Sequence, residues 1–171
     1  MGTLLHGWAL VEQGERDEGI AQIRQALEDC DAMEILSFST YSLVLLSDAY
    51  SKDRQAREGL TVVGEALERA HKSGERLHEA ELYRINGELL LMQGAAEPKV
   101  EECIHQALDI ARCQQAKSLE LRTVMSLSRL WQQQGNRDEA RQMLSEIYGW
   151  FTEGFETADL KEAKILLEEL A

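Results

Sequence analysis

The sequence predicts an all-α solenoid, four helical hairpins closed by a C-terminal capping helix. Three observations predict it. First, the 171 residues include one proline, only 6% aromatics and 29% charged residues. They are rich in Ala, Leu, Glu, Gln and Arg, which favour helix over sheet. Second, the dipeptide Ala-Leu recurs at Ala26-Leu27, Ala66-Leu67 and Ala107-Leu108, in steps of 40 and 41, and a further step of 40 reaches Ile147. Third, Gly14, Gly94 and Gly135 each follow a Gln-containing segment end, and the missing member of that series falls on Arg54, so the steps are 40, 40 and 41. Two markers sharing one period indicate structural repeats.

Each repeat reads as two helices. In the first unit, roughly 1–36, the turn is Gln13-Gly14-Glu15-Arg16. In the second, 37–75, it is Ser51-Lys52-Asp53-Arg54. The third unit, 76–115, has Leu82, Ile85, Leu89, Leu90 and Met92 at helical spacing. Gly94 then stops the helix, because glycine enters the left-handed conformation at low cost. Pro98 suits the first turn of the next helix, and Val100, Ile104, Ala107, Leu108 and Ala111 continue a new apolar stripe. The fourth unit, 116–150, turns at Gln134-Gly135-Asn136-Arg137. A last helix spans about 157–170, with Thr157 as its N-cap and Asp159 in its first turn. Its Leu160, Ala163, Leu166, Leu167 and Leu170 form the apolar side expected of a solenoid cap. The aromatic run Tyr148, Trp150, Phe151 and Phe155 precedes it and is expected to seal the final apolar face.

Small residues fall where paired helices must cross. Gly7, Ser47, Gly87 and Ser128 hold equivalent sites in the first helices, and Gly19, Gly59 and Ala140 in the second, with Val100 in unit three. This pattern resembles the tetratricopeptide family, W-x2-L-G-x2-Y followed by A-x3-F. Unit two offers Leu43-x2-Leu46-Ser47-x2-Tyr50 and Gly59-x3-Val63. Unit three offers Tyr83-x2-Asn86-Gly87-x2-Leu90 and Val100-x3-Ile104, and unit four Val124-x2-Leu127-Ser128-x2-Trp131 and Ala140-x3-Leu144. The end-of-repeat proline is missing and the period is 40–41. The resemblance is therefore to the long variant of large bacterial signalling ATPases and maltose-regulator-type activators, and it implies a right-handed superhelix. The segments 80–91 and 148–164 also resemble the C-terminal region of bacterial multidomain proteins. In those, a nucleotide cyclase or DNA-binding domain precedes a STAND-type ATPase and then such repeats.

Composition and motifs narrow the function. There are 18 Lys and Arg against 31 Asp and Glu, a formal net charge of −13, which speaks against nucleic acid and anionic membrane as partners. The chain has no GxxxxGK[ST] and no GxGxxG, no apolar run of membrane-spanning length, and no secretory signal. Cys30, Cys103 and Cys113 are odd in number and widely spaced, which suits a reducing cytoplasm. His6, His71, His78 and His105 are dispersed, so neither metal nor cofactor is expected. The carboxylates Glu12, Asp48, Glu81 and Glu88 read as a solvated helix face, and Glu65–Arg69 and Glu81–Arg84 as pairs supporting exposed helices.

In a hairpin stack the first helix of each unit lines the concave face. The inward positions are then Leu4, Trp8 and Val11; Tyr41, Val44 and Asp48; Arg84, Glu88 and Leu91; and Arg122, Met125 and Arg129. This mixture suits an extended peptide or helix, the arginines holding a carboxylate; the alternative is that some of these residues only pack between repeats. Within the resemblance, the lysine and asparagine sites of chaperone-binding members are not matched, which speaks against chaperones as the partner class. The expected function is a non-catalytic, cytoplasmic protein–protein interaction module of a bacterial signalling protein. Its partner is a separate protein or upstream domains of the same chain. Two alternatives remain: the regulatory region of a parent cyclase or ATPase, and a homodimerisation arm. Leu4, Leu5 and Trp8 leave the first unit with an apolar open side, so the chain is expected to be part of a longer one, with Met1 not its natural start, or to join a second copy there.

Overall fold

The computed structural model describes residues 2–33 and 36–171. Met1 lies outside the described residues. Among those described, nine α-helices follow one another without a strand. α1 (Gly2–Gln13) and α2 (Arg16–Ala32) form the first hairpin, α3 (Leu36–Lys52) and α4 (Ala56–Ser73) the second. α5 (Glu79–Met92) and α6 (Glu97–Cys113) form the third, α7 (Lys117–Gln134) and α8 (Arg137–Tyr148) the fourth, and α9 (Ala158–Glu169) closes the stack. The odd-numbered helices touch one another in sequence, α1 to α3 to α5 to α7 to α9, so they make one continuous inner row.

The repeat shows in the backbone. Gly14, Gly94 and Gly135 are left-handed, with φ of 93°, 74° and 89°, and each ends the first helix of its hairpin. Arg54 occupies the same turn in the second hairpin at φ 58°. The residue that breaks the glycine series in the sequence therefore keeps its conformation.

Packing, rather than capping, holds the helices. No described N-cap residue of α2 or of α4 to α9 bonds the helix through its side chain. Thr157 stands at the N-cap of α9, but its hydroxyl donates to the Gly154 carbonyl at 2.8 Å. Helices this short are marginal alone and depend on burying one face. That face is supplied by Leu43, Ile23, Leu82, Ile85, Leu89, Ile104, Leu121, Leu127 and Leu144, all essentially inaccessible. Each such side chain contributes about 1.5–3 kcal/mol relative to exposure.

The crossings are as close as the small residues allow. A β-carbon on Gly19 would stand 2.6 Å from the Gly7 carbonyl oxygen, so α1 and α2 touch backbone to backbone. In the fourth hairpin the Ser128 hydroxyl donates to the Ala140 carbonyl at 3.2 Å. At the C-terminal end Leu160, Ala163 and Leu166 of α9, with Leu170 just after it, cover the core of α7 and α8. Tyr148 and Phe151 pack against that cluster, whereas Trp150 stays 58% exposed with the Lys117 ammonium 5.7 Å from its ring centre.

Candidate functional site

The inner row encloses a concave cleft of about 700 Å³, walled by α1, α3, α5, α7 and α9. The repeat period explains its lining. Tyr41, Glu81 and Arg122 are successive equivalents at steps of 40 and 41, as are Val44, Arg84 and Met125, and Asp48, Glu88 and Arg129. All nine line the cleft. Trp8, one step before Asp48, lines it as well.

Three expected inward positions lie elsewhere. Leu4 and Val11 are buried in the core of the first two hairpins, and Leu5, Trp8 and Glu12 face the cleft instead. Leu91 is partly buried against the cluster that holds Leu90, Ile104 and Leu127, and Met92 lines the cleft. The reason is helical drift: the lining stripe runs 5, 8, 12 in α1 and 81, 84, 88, 92 in α5, so its spacing passes beside residues 4, 11 and 91. Leu4 is buried, unlike the open apolar side expected of the first unit, whereas Leu5 and Trp8 stay exposed at 45% and 37%.

The charged residues of the lining are bonded to one another. Lys52 of α3 bonds Glu12 of α1 and lies 2.8 Å from Asp48. Asp48 stands 3.9 Å from Arg84 of α5. The Arg84 guanidinium donates from Nε and Nη2 to the two oxygens of Glu81, at 3.0 and 2.7 Å, and from Nη1 to Glu88 at 2.6 Å. Glu81 Oε1 reaches Arg122 of α7 at 3.4 Å, and Arg122 Nε donates to Asp159 of α9 at 2.8 Å. A ladder of alternating charge thus crosses all five inner helices. Ser126 adds a bond to Glu88 at 2.6 Å, and Arg129 one to Glu162 at 2.5 Å.

Burial decides what each member can do. The Arg84 side chain is only 10% exposed, so this arginine is part of the wall rather than a free hand for a partner. Glu81–Arg84 forms as expected but is buried, not an exposed helix pair. The expected solvated face of Glu12, Asp48, Glu81 and Glu88 is in fact this cleft. Burial alone would push the Glu81 carboxyl up, but the Arg84 and Arg122 guanidinium groups hold it below its ordinary value. Burial likewise opposes the charge on Arg84, and Glu81, Glu88 and Asp48 together raise its pKa well above normal. Lys52 is raised in the same way by Asp48 and Glu12 against its burial.

The apolar part of the cleft lies mainly at the α1–α3 end. Tyr41 stacks on His78 with ring centres 5.3 Å apart, and burial lowers the pKa of that imidazole. Lys52 places its ammonium 5.8 Å from the centre of the Trp8 ring. Sequence reasoning missed the contribution of α9, whose Asp159 and Glu162 complete the far wall. Their spacing of three, on the side away from Leu160 and Ala163, was the available signal. Among the described residues no group of three or more His, Cys, Asp or Glu is placed to hold a metal, and no helix is long and apolar enough to cross a membrane.

No family model matches the chain, and no curated protein matches it. Among solved structures it is similar to a chain from Podosopora anserina, described as a kinesin light chain with nearly identical TPR-like repeats. The two superpose with a TM-score of 0.69 at 15% sequence identity, over 99% of this chain and 83% of that one. At that identity the likeness establishes the fold: this chain is a right-handed solenoid of four TPR-like helical hairpins with a C-terminal capping helix.

Proposed function

We propose that the chain is a non-catalytic protein–protein interaction module that seats a partner segment in its concave cleft. The observation that carries this reading is the cleft itself. Five helices contribute to one open channel, and Leu5, Trp8 and Met92 stay about half exposed along it. Exposed apolar side chains beside fixed charges suit a peptide or helix laid along the groove. The pairing within the wall is in keeping with the non-catalytic part: against burial, Arg84 holds the Glu81 carboxyl below its ordinary value, and Glu81 raises the Arg84 guanidinium. Of the expected contact residues, Trp8, Tyr41, Val44 and Met125 supply apolar surface, Arg122 and Arg129 exposed charge, and Asp48, Arg84 and Glu88 the polar wall.

Selection of displayed peptides on the intact protein tests this directly. Peptides recovered on the wild type are expected to bind the triple variant Leu5→Ser, Trp8→Ser, Met92→Ser at least about tenfold more weakly. Equal binding to both would remove the cleft from the reading.

The parent is a bacterial signalling or regulatory protein in this proposal, supported by the resemblance of 80–91 and 148–164 to the repeat region of cyclase and STAND-ATPase proteins. The partner class then includes upstream domains of the same chain, and the setting is cytoplasmic. Sequencing upstream of the Met1 codon tests it: an open frame entering a P-loop is expected, and a stop codon would count against it. A second reading, self-association through the first repeat, is favoured by a shallow apolar hollow of about 180 Å³ where Met33 and Phe38 are exposed beside Leu4 and Ala26. Sedimentation of the wild type against Met33→Ser, Phe38→Ser separates dimer from monomer.

A further inference from the structure

We infer that the segment taken by the cleft is cationic, bearing lysine or arginine beside an apolar anchor. This inference rests on the interaction reading above and names the chemistry of its partner. The lining carries six carboxylates against four cations, within a chain of net charge −13. An acidic partner would add negative charge to a negative groove, and a basic one would reduce it.

Arg84 is enclosed, and Lys52, Arg122 and Arg129 each already bond at least one carboxylate of the chain. A partner carboxylate would share each of these cations with a carboxylate of the chain that already offsets its charge. The carboxylates outnumber them, and several are only half used. Glu12, Glu88, Asp159 and Glu162 each use one oxygen, and among the described residues no hydrogen bond reaches the other. Each therefore retains capacity for an incoming N–H donor without loss of its existing bond.

The cleft already holds one ammonium in such a seat. Lys52 lies over the Trp8 ring with Glu12 and Asp48 as its counter-ions. An aromatic face with two carboxylates is a cation site, and Lys52 is its internal occupant. A partner cation at the α1–α3 end competes with Lys52; one at the α7–α9 end meets Asp159 and Glu162 beside Arg122 and Arg129, through the carboxylate oxygens those arginines leave unused.

Two fluorescent peptide pools decide the matter. They share Leu, Phe and Trp at their apolar positions, and carry Lys and Arg in one and Asp and Glu in the other. Each is titrated with the full 171-residue protein at low and at physiological salt. The basic pool is expected to bind at least about tenfold more tightly than the acidic one, and to lose affinity as salt rises. Glu12→Gln and Glu162→Gln should each weaken it by about two- to fivefold. Lys52→Met should strengthen it, and Glu68→Gln, on the outer face of α4, should leave it unchanged. Acidic-pool binding that equals or exceeds basic-pool binding, and is lost in Trp8→Ser, overturns this inference and leaves the interaction reading standing. Binding of neither pool, or binding indifferent to Trp8→Ser and to every charge variant, overturns both.

Discussion

Arg84 is clasped by Glu81 one turn before it through two parallel hydrogen bonds, and the pair is buried at the centre of the concave face. It is also the junction of the ladder, since Asp48 of α3 approaches Arg84 and Arg122 of α7 approaches Glu81. A buried pair of this kind stabilises little against a well-packed apolar replacement, yet losing one member strands a charge. Arg84→Met is therefore expected to cost about 3–5 kcal/mol. Glu81→Leu, Arg84→Met together should recover most of that loss. Urea denaturation of the wild type and the two variants checks both statements. A single variant as stable as the double one would show that the clasp is not electrostatically closed.

The same pair sets the acid limb of the stability curve. The folded pKa of Glu81 lies below its ordinary 4.5, because Arg84 and Arg122 outweigh the effect of burial. Glu120 is lowered from the same value, with Lys117 and Arg112 outweighing burial. Asp31 is lowered from 3.8, chiefly by its hydrogen bond with Arg69. Groups with depressed folded values contribute stability above the unfolded pKa and lose it as pH falls through the folded one. The large loss should therefore begin only below about pH 4.5. His78 adds a smaller, earlier step. Burial lowers the pKa of its imidazole, so stability declines once pH drops below the ordinary 6.5. Melting temperature against pH should show both steps, and His78→Gln should erase the first alone.

The fold was legible because the period is carried by residues that cannot be exchanged freely. Gly14, Gly94 and Gly135 mark left-handed turns, and Ala26, Ala66 and Ala107 mark fully packed positions. The cleft was legible where one repeat predicts the next, as with Val44, Arg84 and Met125. It failed at Leu4, Val11 and Leu91, because a stripe of 3.6-residue period passes between adjacent positions and spacing alone does not say which side it takes. The pairing of the charges was not legible. Glu81 meets Arg122 and Arg122 meets Asp159 across 41 and 37 residues, and only the superhelix sets those distances.

Two glycines in helices should respond to alanine with opposite sign. At Gly19 the added carbon would meet the Gly7 oxygen at 2.6 Å and the Val11 nitrogen at 2.9 Å. Both are backbone atoms, so α1 and α2 must separate, at a cost of about 1–3 kcal/mol. At Gly64 no atom lies within 4 Å, and the residue sits inside α4. Gly64→Ala should gain about 0.5–1 kcal/mol, since alanine has less backbone freedom to lose. Calorimetric melting of the two variants should move the midpoint down for Gly19→Ala and up for Gly64→Ala.

The irregular member of the turn series offers the sharpest test of the repeat. Arg54 adopts φ 58° where the other three hairpins place glycine. A left-handed L-residue is strained by roughly 1–2 kcal/mol. Glycine relieves that strain but restores about 0.5–1 kcal/mol of unfolded-state freedom. Arg54→Gly should thus stabilise by about 0.5–1 kcal/mol. Arg54→Ala should not, since alanine retains the β-carbon and with it the strain. Gln115 stands at φ 55° in the turn between α6 and α7, 41 residues beyond the left-handed Gly74, and should behave the same way. Denaturation midpoints of the glycine and alanine variants at both sites separate the two explanations. A gain with alanine as large as with glycine would place the effect in the lost side chain, and would mean that the turn tolerates its conformation without cost.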